Sequence, residues 1–191
     1  MTLIKIKVAP KNQKKFEYSE ITWDLKNQIN IDDFLNEYPE YGFKKYATIV
    51  GTDGVVGYKI QELRGFSDKK FLIYLLVVGG KIVKVGKCKK NIATRSYTAG
   101  TERNWINTGM PSNVNYFYSK LFLSCLENNI DVDFYCYEVP VTTENFVAFG
   151  IESTFSFSPY EEYEKVLNFT LKKKLGKNLI GDKKLFLPYK E

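Results

Sequence analysis

The sequence predicts an α+β fold in which a small antiparallel β-sheet is flanked by helices and preceded by an N-terminal appendage. Residues 71–86 have the pattern of a β-hairpin around a Gly-Gly turn, and residues 131–139 alternate in polarity like a third strand. Apolar residues at helical spacing in 112–127, and capping signals from Ser158 onward, predict helices on either side of that strand. The strands are too few for a doubly wound parallel sheet.

The appendage is predicted to cover residues 1–66 and the main domain residues 67–191. Periodic patterns in the first region predict a strand, a short helix and a β-hairpin, at Leu3–Val8, Ile31–Leu35, and 46–50 with 55–60. This region is charged and rich in tyrosine but contains no chemical motif. We interpret it as scaffold or as a recognition segment.

Two helices are expected between the hairpin and the third strand. The first is short and covers 91–98, and a polar loop over 101–111 follows it. The second covers 112–127 and carries one apolar face. With a further helix after the third strand, the order of the core becomes β-β-α-α-β-α.

That further helix is predicted over 143–155, with Thr143 as its N-cap. Its residues 146–151 are apolar almost all round, so we expect this helix to be buried. A final helix follows, with Ser158 as its N-cap. Its first position, capping box and C-terminal stop are Pro159, Glu161 and Gly176.

Composition narrows the chemistry that the chain can perform. Its 191 residues are 44% hydrophobic and 16% aromatic, which is ample for a packed core, and the formal charge of +6 favours polyanionic partners. The absence of histidine excludes Ser-His-Asp and Cys-His catalysis and histidine zinc sites. A general base must therefore be a tyrosine, a lysine, a carboxylate or a metal-bound water.

The cysteines and the apolar runs of the sequence indicate the cellular compartment in which the protein works. Cys88, Cys125 and Cys136 are odd in number and lack CxxC spacing, which argues against a disulfide framework or a structural zinc. Such usage is typical of a reducing compartment. No signal peptide is visible, and the longest apolar run, 71–78, is too short to span a bilayer. We expect a soluble, cytoplasmic protein.

Lys84 stands between Val83 and Val85 in the second hairpin strand, where a core strand normally carries an aliphatic residue. A two-residue Gly-Gly turn would place Tyr74 and Lys84 on opposite faces of the hairpin. A three-residue loop over 78–80 would place Tyr74 directly opposite Lys84, and we predict this register.

Arg95 follows Lys84 by eleven residues, on the predicted short helix. A tyrosine, a lysine and an arginine that converge on one sheet face indicate an anion site, because arginine offers a fork for phosphate and lysine a point charge. Taken singly, Tyr74 can be a core aromatic, Lys84 a snorkelling side chain and Arg95 a solvated helix residue. Their joint spacing is what indicates a site.

Hydrolysis of a phosphodiester also needs a group that neutralises the developing charge, typically Mg²⁺ held by a carboxylate. Glu152 is the first candidate, because it is the one charge between residues 147 and 155 of the helix predicted to be buried. A structural ion pair is the alternative explanation for Glu152. Glu164 on the final helix is the second candidate, with a simple solvated position as its alternative.

These residues and their order resemble the GIY-YIG nuclease superfamily over about residues 70–170. Ile73–Tyr74 resembles the first motif and Lys84–Gly86 the second. Arg95 falls where that family has its helix arginine, and Glu152 resembles its metal-binding glutamate.

Two residues depart from the family pattern. Leu72 replaces the first-motif glycine, and Lys84 replaces the second tyrosine, as in the type II restriction endonuclease branch. For the family's C-terminal asparagine, Asn168 and Asn178 are the possible counterparts.

The resemblance implies hydrolysis that leaves 5′-phosphate and 3′-hydroxyl ends. Tyr74 would accept a proton from the attacking water, which Lys84 would orient. Arg95 would stabilise the charge of the transition state. Glu152 would hold one Mg²⁺, with Mn²⁺ as a substitute.

The function predicted on this basis is a sequence-specific double-stranded DNA endonuclease of type II that acts as a homodimer beside a companion methyltransferase. Residues chemically able to contact bases or phosphates are Arg103, Asn104, Asn107 and Lys120. The alternatives are a phage- or homing-type nicking nuclease and a non-catalytic module that binds nucleic acid.

Overall fold

A computed structural model describes residues 3–8, 19–52, 57–63, 70–89 and 113–181. Within these ranges there are nine strands: β1 (Leu3–Val8), β2 (Ser19–Asp24), β3 (Lys44–Gly51), β4 (Tyr58–Glu62), β5 (Leu72–Val78), β6 (Lys81–Cys88), β7 (Val132–Glu138), β8 (Thr142–Ala148) and β9 (Ile151–Phe157). The helices of the same ranges are α1 (Ile31–Glu37), α2 (Asn113–Glu127) and α3 (Tyr160–Leu175), with a 3-10 turn at Pro39–Tyr41. The predicted α+β class is confirmed.

The central sheet has five antiparallel strands in the order β4-β3-β7-β5-β6. Strands β3 and β4 precede residue 66 and β5 to β7 follow it, so the boundary predicted there runs between strands of one sheet. Two further pairs, β1-β2 and β8-β9, form separate two-stranded sheets. Much of the region predicted as an appendage is therefore built into the sheet that carries the hairpin.

Both faces of the central sheet are covered, which explains why all seven residues of β5 are buried. One face packs against α2, through residues that include Tyr74, Leu76, Phe122 and Phe134. The opposite face packs against α1 and α3, through residues that include Phe34, Ile73, Leu75 and Leu171. Successive β5 residues alternate between the two cores, as the period of a strand requires.

The helix predicted over 143–155 is wrong. This segment forms the hairpin of β8 and β9, whose residues are exposed apart from the half-exposed Ala148. Phe149 and Gly150 make the two-residue turn with φ values of 55° and 77°, the left-handed conformation that such turns need. Aromatic and β-branched residues that alternate with polar ones fit a strand better than a buried helix.

The final helix is confirmed as α3, and Gly176 follows it in the predicted left-handed conformation with a φ of 66°. Its start differs from the prediction, because Pro159 occupies the N-cap position and no side chain caps the helix. The Ser158 hydroxyl instead donates a hydrogen bond of 3.4 Å to the carbonyl of Val139.

The predicted helix over 91–98 and loop over 101–111 lie outside the described residues. None of the helices that the structure describes has the length and apolar character needed to cross a bilayer.

Candidate active site

The β5–β6 hairpin has a two-residue turn, with Val78 opposite Lys81, so the predicted three-residue loop is wrong. A β-bulge then shifts the register: Val77 faces Ile82 but Leu76 faces Lys84, which leaves one extra residue in β6. Lys84 therefore lies on the α2 face of the sheet. The predicted sharing of one face by Tyr74 and Lys84 is confirmed, although a bulge produces it and the pair is diagonal.

Tyr74 lies opposite Gly86, and its ring covers that glycine. A Cβ atom on residue 86 would lie 2.3 Å from both the Cζ atom and the hydroxyl oxygen of Tyr74. Phe134 packs against the ring at a centroid distance of 5.8 Å. The glycine thus lets the tyrosine lie across β6 and bring its hydroxyl over the last strand of the sheet.

The ammonium of Lys84 lies over the ring of Tyr118 on α2, with 4.3 Å between Nζ and the ring centroid. The Tyr118 hydroxyl donates a buried hydrogen bond of 2.7 Å to the carbonyl of Gly181. The amide of Gly181 in turn donates to the carbonyl of Val83 at 2.7 Å, next to the bulge. These contacts hold the Lys84 side chain against α2.

Neither Tyr118 nor Gly181 was identified from the sequence. A Cβ on Gly181 would lie 2.3 Å from the Val83 carbonyl and 3.0 Å from the Cβ of Lys84, so only glycine fits there. The one sequence signal was Gly181 itself, which follows Ile180 shortly after the end of α3. A single glycine in the sequence does not indicate that residue 181 lies against β6.

A second charged cluster lies on the other face of β6, where Lys87 contacts α3. Its Nζ lies 3.2 Å from a carboxylate oxygen of Glu161 and 3.3 Å from one of Glu164. Burial alone would lower the pKa of Lys87, but the hydrogen bonds to Glu161 and Glu164 outweigh it, so this pKa is raised. Because Lys87 directly follows Gly86, the two clusters lie on opposite faces of the same part of β6.

The two carboxylate candidates have very different positions. Glu152 is exposed on β9, opposite Val147, so the argument that made it a candidate, a charge in a buried helix, no longer holds. Glu164 is 21% exposed on α3 and is held against β6 by Lys87. The metal-binding role of either residue stays a prediction.

Neither a protein-family model nor a curated protein matches the sequence. Among solved structures, the restriction endonuclease HPY188I in complex with product DNA is 30% identical, with a TM-score of 0.50, over 84% of this chain and 89% of that one. The chain belongs to the family of HPY188I. A mutant of bacteriophage T4 EndoII is 19% identical, with a TM-score of 0.53, over 78% of this chain and 97% of that one, and supports the fold alone.

The other predicted site residues lie partly outside the described ranges and partly on or after the helices. Arg95, Arg103, Asn104 and Asn107 lie outside the described residues. Lys120 is half-buried on α2. Asn168 is half-buried on α3, one helical turn after Glu164, and Asn178 is half-buried beyond that helix.

No group of three or more Cys, Asp or Glu side chains within the described ranges is arranged to hold a metal. This does not conflict with Mg²⁺, which proteins often bind through one or two carboxylates while water and substrate phosphate supply the other ligands. Glu164 with Glu161 fits that donor set, because both carboxylates already surround one cation, the Lys87 ammonium.

Proposed function

We propose that this chain is a metal-dependent endonuclease that hydrolyses double-stranded DNA at specific sites, as a type II restriction enzyme. The observation that carries the proposal is the placement of the Tyr74 hydroxyl over Gly86, on the face of β6 that also holds Lys84. Membership in the family of HPY188I supports the same reading.

Tyr74 acts as the general base in its deprotonated form, and its phenolate oxygen takes a proton from the attacking water to give the neutral phenol. Lys84 orients that water, and the Tyr118 ring beneath its ammonium limits the directions in which the side chain can point. Arg95 stabilises the charge that develops on the phosphate. Lys84 thus takes the place of the second motif tyrosine in a GIY-YIG arrangement.

Glu164, rather than Glu152, is our preferred metal ligand. Its helix packs against β5 and β6, on the face opposite to Tyr74 and Lys84, whereas Glu152 belongs to a separate exposed hairpin. When bound, Mg²⁺ or Mn²⁺ supplies positive charge at the scissile phosphate. Glu161 and Lys87 position the Glu164 carboxylate, since all three side chains are within one ion-pair cluster.

The proposed substrate is a near-symmetric duplex site, and cleavage leaves 5′-phosphate and 3′-hydroxyl ends. The formal charge of +6 favours binding to the phosphate backbone. A homodimer places one active site on each strand, and a companion methyltransferase protects the host sites. Base contacts are assigned to Arg103, Asn104, Asn107 and Lys120, as expected from the sequence.

The test is incubation of the purified protein with plasmid DNA and Mg²⁺, with Glu164→Gln and Glu152→Gln compared in parallel. We expect discrete fragments from the wild type and from Glu152→Gln, and a loss of about a hundredfold or more in rate for Glu164→Gln. Both substitutions remove one negative charge and preserve side-chain size, so a difference between their cleavage rates reflects only the position of the carboxylate.

Other outcomes distinguish the alternatives. Nicked circles from a monomeric wild type would favour a nicking nuclease. A wild type that shifts DNA on a gel but leaves it intact with Mg²⁺ and with Mn²⁺ would favour a binding module and overturn the proposal. If only Glu152→Gln lost cleavage, the metal ligand would be Glu152 on the β8–β9 hairpin.

A further inference from the structure

The cluster of Lys87, Glu161 and Glu164 contains two carboxylates but only one ammonium. Glu161 and Glu164 are three positions apart on α3, so their side chains lie on the same side of the helix. Lys87 reaches both of them from β6. With all three side chains charged, the cluster has a net charge of −1 and attracts a cation of higher charge than the ammonium.

The contacts of Lys87 are longer than those of a close ion pair. Charge-assisted hydrogen bonds between nitrogen and oxygen are usually about 2.7–2.9 Å long. The ammonium of Lys87 lies 3.2 Å from Glu161 and 3.3 Å from Glu164. By comparison, the ammonium of Lys165 lies 2.6 Å from Glu162. The Lys87 ammonium is therefore shared between two carboxylates and close to neither, which makes it easier to replace.

The carboxylates are on a fixed element, whereas the ammonium is on a flexible one. Glu161 directly follows Tyr160, whose ring packs against Phe71 at a centroid distance of 5.4 Å, and Leu171 anchors α3 in the core. The Lys87 ammonium ends a four-carbon side chain that is 32% exposed, so it has a path to solvent. An exchange of cations at this cluster would therefore move Lys87 and leave α3 in place.

We propose that Lys87 is a displaceable internal cation: its ammonium holds Glu161 and Glu164 together until Mg²⁺ or Mn²⁺ binds, and then leaves them. The inference rests on the proposed function for the location of the metal at these carboxylates. Charge balance favours the exchange, since two carboxylates are neutralised by a divalent ion but not by one ammonium. Mg²⁺ keeps several waters in proteins, so two carboxylates suffice as protein ligands.

An internal cation affects metal binding in two opposite ways. It keeps two like charges close together that would otherwise repel each other, so the ligand pair is already formed. It also competes with the metal, because the apparent affinity falls with the fraction of molecules in which the ligands are free to bind. Since the carboxylates are held by α3 as well, we expect competition to be the larger effect. Removal of the Lys87 ammonium should therefore tighten metal binding.

The first experiment measures Mn²⁺ binding to the full chain without DNA, from the electron paramagnetic resonance signal of free Mn²⁺. It compares the wild type with Lys87→Met and with Lys165→Met, each of which replaces an ammonium by an unbranched apolar side chain. We expect the dissociation constant to fall by about tenfold or more for Lys87→Met. It should stay within about twofold for Lys165→Met, because Lys165 contacts the neighbouring Glu162 and is 64% exposed.

The second experiment follows the ammonium itself in the wild type, so it does not depend on the folding of a lysine variant. An amine-acetylating reagent is applied with and without Mn²⁺, and the rate at each lysine is measured by mass spectrometry. Acetylation of Lys87 should become several-fold faster with Mn²⁺, because the amine is released from its two ion pairs. Lys165 should react at an unchanged rate. In Glu164→Gln, Mn²⁺ should no longer accelerate the reaction of Lys87.

Several results would overturn the inference: no Mn²⁺ binding without DNA, an unchanged acetylation rate at Lys87, or Mn²⁺ binding by Lys87→Met that is equal to or weaker than that of the wild type. An acceleration that persists in Glu164→Gln would do the same, since Lys87 would then respond to a metal bound elsewhere. Both readouts are independent of cleavage. A protein that releases Lys87 but leaves DNA intact contradicts only the nuclease proposal, and one that cleaves while Lys87 stays protected contradicts only the displaced ammonium.

Discussion

The ring of Tyr74 occupies the space that a side chain on Gly86 would need: a Cβ there would lie 2.3 Å from the phenol oxygen. Two features of β6 produce this arrangement. Gly86 removes the side chain opposite Tyr74, and the bulge before Lys84 turns that lysine to the same face. A glycine and an irregular register, which weaken a strand, here place the Tyr74 ring and the Lys84 side chain on one face of β6.

Gly86→Ala should therefore impair cleavage strongly. The methyl group would force the Tyr74 ring away from β6, and a displacement of about 1 Å in a catalytic group can cost about a hundredfold in rate. Overpacking should also lower the free energy of unfolding by about 1–3 kcal/mol. Cleavage rates below the unfolding temperature of both proteins, with urea titrations, measure the two effects.

Gly51→Ala is the matched control, because a Cβ at Gly51 meets no atom within 4 Å. It should retain wild-type cleavage. A folded Gly86→Ala protein that cleaves at the wild-type rate would show that the ring position over residue 86 does not matter for catalysis.

Tyr118→Phe should separate the two contacts of Tyr118. The substitution keeps the ring beneath Lys84 but removes the buried hydrogen bond to the Gly181 carbonyl. An acceptor left without its donor costs about 1–3 kcal/mol, so the urea midpoint should fall while cleavage is largely retained. Tyr41→Phe, at an exposed position, should leave the midpoint within error. An unchanged midpoint for Tyr118→Phe would mean that residue 181 does not anchor the C-terminal segment.

The three cysteines should be almost unreactive in the native protein. All are buried, and burial raises the pKa of the Cys125 thiol to about 12. Burial, and then the nearby Cys88 and Glu62, raise the pKa of Cys136 as well. Since the thiolate is the reactive form, a disulfide reagent at pH 8 should modify no thiol rapidly in buffer and three in denaturant. One fast-reacting equivalent in the native state would contradict this burial.

The central hairpin could be predicted from sequence because its pattern is regular. The apolar run of β5, the Gly-Gly turn and the lysine at 84 all have local signals. The bulge between Ile82 and Lys84 has none, because it depends on packing against α2 and on the Gly181 segment that closes over Val83. The shared face of Tyr74 and Lys84 was thus predicted correctly from an incorrect register.

The prediction of a helix over 143–155 failed for a different reason. Residues 146–151 are apolar almost all round, which suggested burial on all sides and favoured a helix. In the structure Gly150 is the turn, and the aromatic residues alternate onto one exposed face.

Lys87 provides a test of the cluster on the α3 face through pH. Its pKa is raised above the ordinary 10.5, since hydrogen bonds to Glu161 and Glu164 outweigh the effect of burial. A raised lysine pKa means that the charged form stabilises the fold below pH 10.5, and that this contribution is lost as pH rises through the higher pKa of the folded state.

Lys87→Met should therefore lower the free energy of unfolding at pH 8 by about 1 kcal/mol or less, because Lys87 is 32% exposed and partly screened. The difference between the two proteins should shrink at pH 11. Urea midpoints at both pH values measure it, with Lys59→Met at an exposed position of β4 as the control that should show no such trend. A difference that stays constant between pH 8 and pH 11 would mean that the Lys87 ammonium does not hold Glu161 and Glu164 in place, and the case for Glu164 as a positioned metal ligand would lose its main support.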